Sequence, residues 1–131
     1  MHRTYSPESA FIDAYLECAL WASAGEDGEP LDRVDREWSP DALHECARDC
    51  LDFLECAEGI KANDGCLPDY GHPQYTDAEM AGHDFWLTRN GHGAGFWDRG
   101  LGDLGDELAK DSKAYGSADL YIGDDGLVYV Y

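Results

Sequence analysis

Residues 6–25, "SPESAFIDAYLECALWASAG", place Phe11, Ile12, Tyr15, Leu16, Ala19 and Leu20 at helical spacing, with Asp13 and Glu17 opposite. Ser6 suits the N-cap, Pro7 the first turn and Gly25 the end. An acidic connector with Gly and Pro follows over 26–38. Residues 39–60 then repeat the pattern, with Ser39 as cap and Pro40 just inside. Leu43, Cys46, Ala47, Cys50, Leu51 and Leu54 form the apolar side of this second helix. Asp41, Glu45, Asp49, Asp52 and Glu55 form the other, interrupted by Arg48.

Residues 61–75 read as a loop rich in Gly, Pro and Asn-Asp-Gly turn chemistry. "TDAE" at 76–79 matches a capping box, so a third helix runs from there to Asn90 and stops at Gly91. A fourth over 100–116 aligns Leu101, Leu104, Leu108 and Tyr115. At the end the period changes to two. "ADLYIGDDGLVYVY" predicts a hairpin with a three-residue turn, Asp124-Asp125-Gly126, and Gly126 in a left-handed conformation. That register pairs 123 with 127 and puts Leu120, Ile122, Val128 and Val130 on one face, Tyr121 and Tyr129 on the other. A lone hairpin is marginal in water, so this one must pack on the helices. The expected fold is α+β: a single domain over 1–131, about four helices with a C-terminal antiparallel hairpin against them.

Charge changes the picture more than length does. The 131 residues carry 28 acids against 9 bases, a formal net charge of −19. Residues 1–66 contribute −11 and residues 67–131 contribute −8, so the acidity belongs to the fold and not to a tail. The apolar and aromatic content is that of a globular protein. Such a field repels nucleic acid and anionic membrane and attracts basic surfaces. No apolar run has the length of a membrane span, and the N-terminus lacks the apolar core of a secretory signal. Five cysteines leave one unpaired in any internal disulfide scheme, which favours a reducing compartment. The expectation is a cytoplasmic monomer acting within a host cell.

The segment "GHDFWLTRNGHGAGFWDRG", 82–100, concentrates the residues able to do chemistry. His83-Asp84 and His92, with Asp98, could supply a general base and an orienting acid for a small enzyme. The bland alternative is structural: Phe85, Trp86, Phe96 and Trp97 plug the core while the glycines let backbone pass closely. Cys46 and Cys50, near His44, sit on an apolar face and read as core thiols; no second close-spaced ligand pair points to zinc. Cys18, Cys56 and Cys66 lack an activating basic cluster. No metal, cofactor or catalytic residue is expected.

The acids on the second helix leave a bland account much more to explain. Asp41, Glu45, Asp49 and Asp52 stand at the spacings where an ordinary exposed helix gains from opposite charges, so like charges there cost stability. Side chains at those spacings are about 5–6 Å apart at Cβ and can splay further. Successive phosphates along DNA, which rise 3.4 Å per nucleotide, stand roughly 7 Å apart. Asp41, Glu45, Asp49, Asp52 and Glu55, backed by Asp13 and Glu17, therefore form the candidate partner-binding face. Salt adaptation is a rival account, since Asp outnumbers Glu and only three lysines are present.

"HDFWLTRNGHGAGFWDRGLGD" followed by "DLYIGDDGLVYVY" resembles the C-terminal half of small acidic proteins of bacteriophages and mobile elements, over the chain from Asp77 onward. The resemblance implies a genetic context and no reaction, and it transfers no site residue. In that context the chain looks like an anti-CRISPR or antirestriction protein of the DNA-mimic type, acting against a type I Cascade complex. Its partner would be a basic nucleic-acid-binding protein of a host defence system, and it would bind no nucleic acid itself.

Overall fold

The computed structural model of the chain describes residues 7–24, 28–92 and 94–131. It comprises α1 (Pro7–Ala22), α2 (Pro40–Cys56), α3 (Glu58–Ala62), α4 (Asp77–Arg89), α5 (Asp103–Lys113), β1 (Leu120–Ile122) and β2 (Val128–Val130). The fold is α+β, four longer helices with a C-terminal antiparallel hairpin. Ser6 and Gly25, read as the ends of the first helix, lie outside the described residues. Ser39 accepts from the Ala42 amide at 3.1 Å and starts α2. Thr76 and Glu79 close the capping box of α4, the Thr76 amide donating to Glu79 Oε1 at 3.0 Å.

The helix predicted over 39–60 is interrupted. Ala57 leaves the helical region at φ −60° and ψ 129°, and α3 starts afresh as little more than one turn. The break turns Gly59 and Ile60 inward, where the Gly59 amide donates to Asp111 Oδ2 of α5 at 2.9 Å. A gain of packing against α5 thus replaces the last helical turn.

The centre of the molecule is α4. From Ala81 to Arg89 every residue except His83 is buried, so this helix has no solvated face to mark it as amphipathic. It lies along α1 at backbone contact: a Cβ added at Gly82 would stand 2.2 Å from the Phe11 carbonyl oxygen and 3.1 Å from the Ala14 Cβ. Aromatic rings fill the remaining space. Phe53 of α2 stacks on Phe85 of α4 at 4.3 Å, and Phe11, Phe96 and Tyr115 surround the pair.

On α2 the buried stripe is Ala42, Cys46, Cys50 and Phe53. The predicted apolar face was centred too far from the acids: Leu43 is 40 % and Leu51 44 % exposed. Phe53 explains the difference, because the largest apolar side chain on the helix dictates which side meets the core. Turning Phe53 inward also draws Asp49 partly inside.

The hairpin has the predicted register, Leu120 with Val130, Tyr121 with Tyr129 and Ile122 with Val128. Its second strand is held on the far side by the connector. The Ser39 amide donates to the Val128 carbonyl and the Val128 amide to Glu37, both at 2.8 Å. Those bonds tether the hairpin to the start of α2.

Gly82→Val is expected to be the most damaging single-methyl-branch insertion in the helices. Because the clash is with backbone, no rotamer relieves it, and urea unfolding should show a loss of at least about 1–3 kcal/mol. Phe96→Ala should cost about 3–5 kcal/mol, as for a fully buried aromatic.

Candidate functional site

Asp84, Thr88, Arg89, Asn90 and Arg99 of segment 82–100 tie α4 to its neighbours. A helix buried on all sides can carry polar groups only where each finds a partner. Asp84, fully buried, accepts a forked pair of bonds from Arg99 Nε and Nη2 at 2.9–3.2 Å and one from the Tyr70 hydroxyl at 2.8 Å. Burial pushes its carboxyl above the usual aspartate range, outweighing the opposite pull of Arg99 and Tyr70. A raised folded value means that this group's contribution to stability declines as pH rises through the window above its unfolded value. Thr88 Oγ1 accepts from the Phe96 amide at 3.1 Å, and Asn90 Oδ1 from the Ala118 amide at 2.8 Å. Trp86 is the exception, its Nε1 donor lying buried without a partner among the described residues.

Arg89 makes the largest set of ties. Its guanidinium donates to Asp49 Oδ2 at 2.9 Å, to the Tyr15 hydroxyl at 3.0 Å, and to the carbonyls of Tyr115 and Gly116 at 3.1 and 2.9 Å. The rings of Phe85 and Tyr115 lie 5.6 and 5.8 Å from its central carbon. One buried cation thereby joins α1, α2, α4 and the chain leaving α5. Sequence reasoning missed this residue. The available signal was an arginine four residues after a phenylalanine in an aromatic stretch, the spacing at which helix side chains are neighbours.

Of the residues of the enzyme alternative, His83 and Asp84 are neighbours on α4 and His92 lies beyond its end. The Asp84 carboxylate is taken up by Arg99 and Tyr70, His83 is half-buried beside it in sequence, and His92 is exposed beyond the end of α4. Burial lowers the His83 imidazole below its usual range. Asp98 closes a turn by accepting from the Gly95 amide at 2.9 Å. That turn needs glycine: Gly95 has φ 157°, and a Cβ there would meet Thr88 Oγ1 at 2.2 Å. The turn carries Phe96 into the core and swings Trp97 out, leaving Trp97 50 % exposed. The expectation that Trp97 plugs the core is therefore corrected: this turn gives the interior to Phe96 and leaves Trp97 on its outer side.

The cysteines divide by depth. Cys18, Cys46 and Cys50 are buried, and burial raises the first two thiols to about 12 and the third further. Cys56 and Cys66 are exposed. Among the described residues no three His, Cys, Asp or Glu side chains are grouped so as to hold a metal ion.

The seven candidate acids fall into two regions. Asp13 and Glu17 border an open groove of about 950 Å³ between α1, the loop at Cys66–Leu67 and the start of α4. Glu45 and Asp49 border a smaller recess between α2 and the hairpin. Asp41, Glu45, Asp52 and Glu55 are exposed along one flank of α2; Asp52 accepts from the Tyr115 hydroxyl, and Glu45 has Arg48 at 3.9 Å. Asp49 departs from the expectation of a free surface acid, because Arg89 holds it half-buried. Since Asp49–Arg89 and Asp84–Arg99 cancel, the whole formal charge of −19 lies outside those two pairs. Among the described residues no helix is long and apolar enough to cross a membrane. Comparison with protein families, curated proteins and solved structures yields no match for this chain.

Arg89→Ala is expected to cost about 3–5 kcal/mol in urea unfolding, since it strands a half-buried carboxylate and two carbonyls. Arg89→Lys should recover little, because an ammonium cannot fork across four acceptors. Trp97→Ala, in contrast, should cost no more than about 1 kcal/mol. A thiol reagent should modify Cys56 and Cys66 quickly in native protein and all five cysteines only after unfolding; rapid reaction of three or more native thiols would contradict the burial described.

Proposed function

We propose that this chain is a non-enzymatic inhibitor that occupies the nucleic-acid-binding face of a basic protein, displaying carboxylates where the partner expects phosphates. The observation that carries this reading is the flank of α2, where Asp41, Glu45, Asp52 and Glu55 stand exposed on one rigid helix with Arg48 as the cation paired there. Like charges at helical spacing weaken a helix. The aromatic packing of Phe53 offsets that cost and holds the acids in place. Electrostatic complementarity of this kind speeds association and makes affinity fall with salt. The resemblance of the C-terminal half to phage-borne proteins points to a host defence complex as the partner, a CRISPR Cascade complex or a restriction enzyme.

The test is displacement. The chain is used to capture its partner from a host extract, and the purified partner is assayed for duplex DNA binding with and without the chain. The native chain should displace DNA, less so as salt rises. Asp41→Lys, Glu45→Lys and Glu55→Lys together should weaken displacement on the order of 100-fold, because cations then face cations. The triple variant should remain folded, since reversal relieves repulsion along α2. Full displacement by that variant would end the proposal. A native chain that displaces no DNA and gains stability only in molar salt would assign the charge to salt tolerance instead.

A further inference from the structure

The outer face of the hairpin carries a ladder of three tyrosine rings. Tyr121 and Tyr129 stand opposite each other across the strands and stack, centroids 5.3 Å apart with 15° between the planes. Tyr131 continues the row, 5.3 Å from Tyr121. Tyr121 is 46 % and Tyr131 72 % exposed, while Leu120 and Val130 on the opposite face pack against the core. Contiguous exposed aromatic surface of this kind marks a contact site more often than chance.

Carboxylates surround the ladder. Tyr129 donates its hydroxyl to Asp125, Asp119 and Asp124 are exposed at either end of the first strand, and Asp41 acts electrostatically on Tyr129. The bonds from residues 37–39 to Val128 set this face beside the start of α2. Tyr131 also forms one wall of the recess of about 310 Å³ that Glu45, Asp49 and Tyr115 line. Acids therefore flank the rings at both ends of the first strand and at the recess beside Tyr131.

Three occupants could use exposed rings. A nucleobase would stack, but its phosphate would meet these acids and a net charge of −19. A second copy of the chain would bring the same charge against itself. A guanidinium satisfies both features, since its flat face stacks on an aromatic ring while its edge donates to carboxylates. We propose that the Tyr121–Tyr129–Tyr131 ladder is the docking platform for arginine side chains of a basic protein partner. This rests on the acidic-surface reading and narrows its partner chemistry from cations in general to arginine.

Fluorescence anisotropy with labelled octa-arginine, octalysine and a short oligothymidylate strand tests it, on the native chain and on Tyr121→Leu with Tyr131→Leu. Leucine keeps apolar bulk on the strands, and circular dichroism checks that the variant is folded. The native chain should bind octa-arginine about two- to fivefold more tightly than octalysine, the ratio expected from one exposed cation–π contact of about 0.5–1 kcal/mol. The variant should bind both peptides equally, at the octalysine level, and neither protein should bind the oligonucleotide. Equal native affinity for the two peptides, or an arginine preference that survives in the variant, overturns the ladder and leaves the acidic-surface reading standing. Binding of neither peptide sinks that reading and the ladder with it. Oligonucleotide binding, or a native dimer in sedimentation, that disappears in the leucine variant would assign the ladder to those occupants and overturn the proposal.

Discussion

Arg89 is the interaction on which the arrangement of the helices depends. A guanidinium inside a protein is tolerable only if its donors are met by acceptors and its charge by an anion. Here those acceptors come from Tyr15 on α1, Asp49 on α2 and the carbonyls of Tyr115 and Gly116 after α5. Each partner must arrive at a fixed distance and direction, so the requirement sets the relative positions of elements that aromatic packing alone would leave free to slide. Phe85 and Tyr115, whose rings meet edge to face, lie together on one side of the cation.

The roll of α2 follows from the same constraint. Phe53 and Asp49 both have to face α4, one for the ring stack and one for the ion pair. With that side inward, the remaining acids are carried to one flank and Leu43 and Leu51 to the other. The acidic flank is therefore a consequence of how the interior is satisfied. Its position is fixed by the buried stripe; Arg48 is paired with Glu45 on it, while Arg89 and Arg99 are engaged by Asp49 and Asp84 further in. The hairpin, tied to the start of α2 through Val128, extends the same negative surface with aromatic rings.

Segment 82–100 shows why residue type alone misleads about chemistry. Histidine, aspartate, arginine and glycine close together in sequence resemble a site, yet Asp84, Thr88, Arg89, Asn90, Asp98 and Arg99 all end on structural partners. Asp84 reaches a loop and Arg99, Thr88 reaches the Phe96 amide, and Asn90 reaches the chain before the hairpin. The pattern belongs to a helix that is buried all round and must carry its own connections.

Much of the fold was readable from the chain because it rests on local rules. The Ser39 and Thr76 caps depend on contacts three residues apart, and the hairpin register depends on a turn and an alternation. Such features involve no distant residue, so their physics is written next to them. The break at Ala57, the exposure of Trp97 and the partnering of Asp49 with Arg89 are different in kind. Each is decided by residues thirty or more positions away or by which of two adjacent side chains the core has room for. Net charge and its spread along both halves were determined by the sequence itself. Which carboxylates remain free at the surface was decided only in the tertiary structure, because a buried cation selects its anion by distance in space, and the sequence records only distance along the chain.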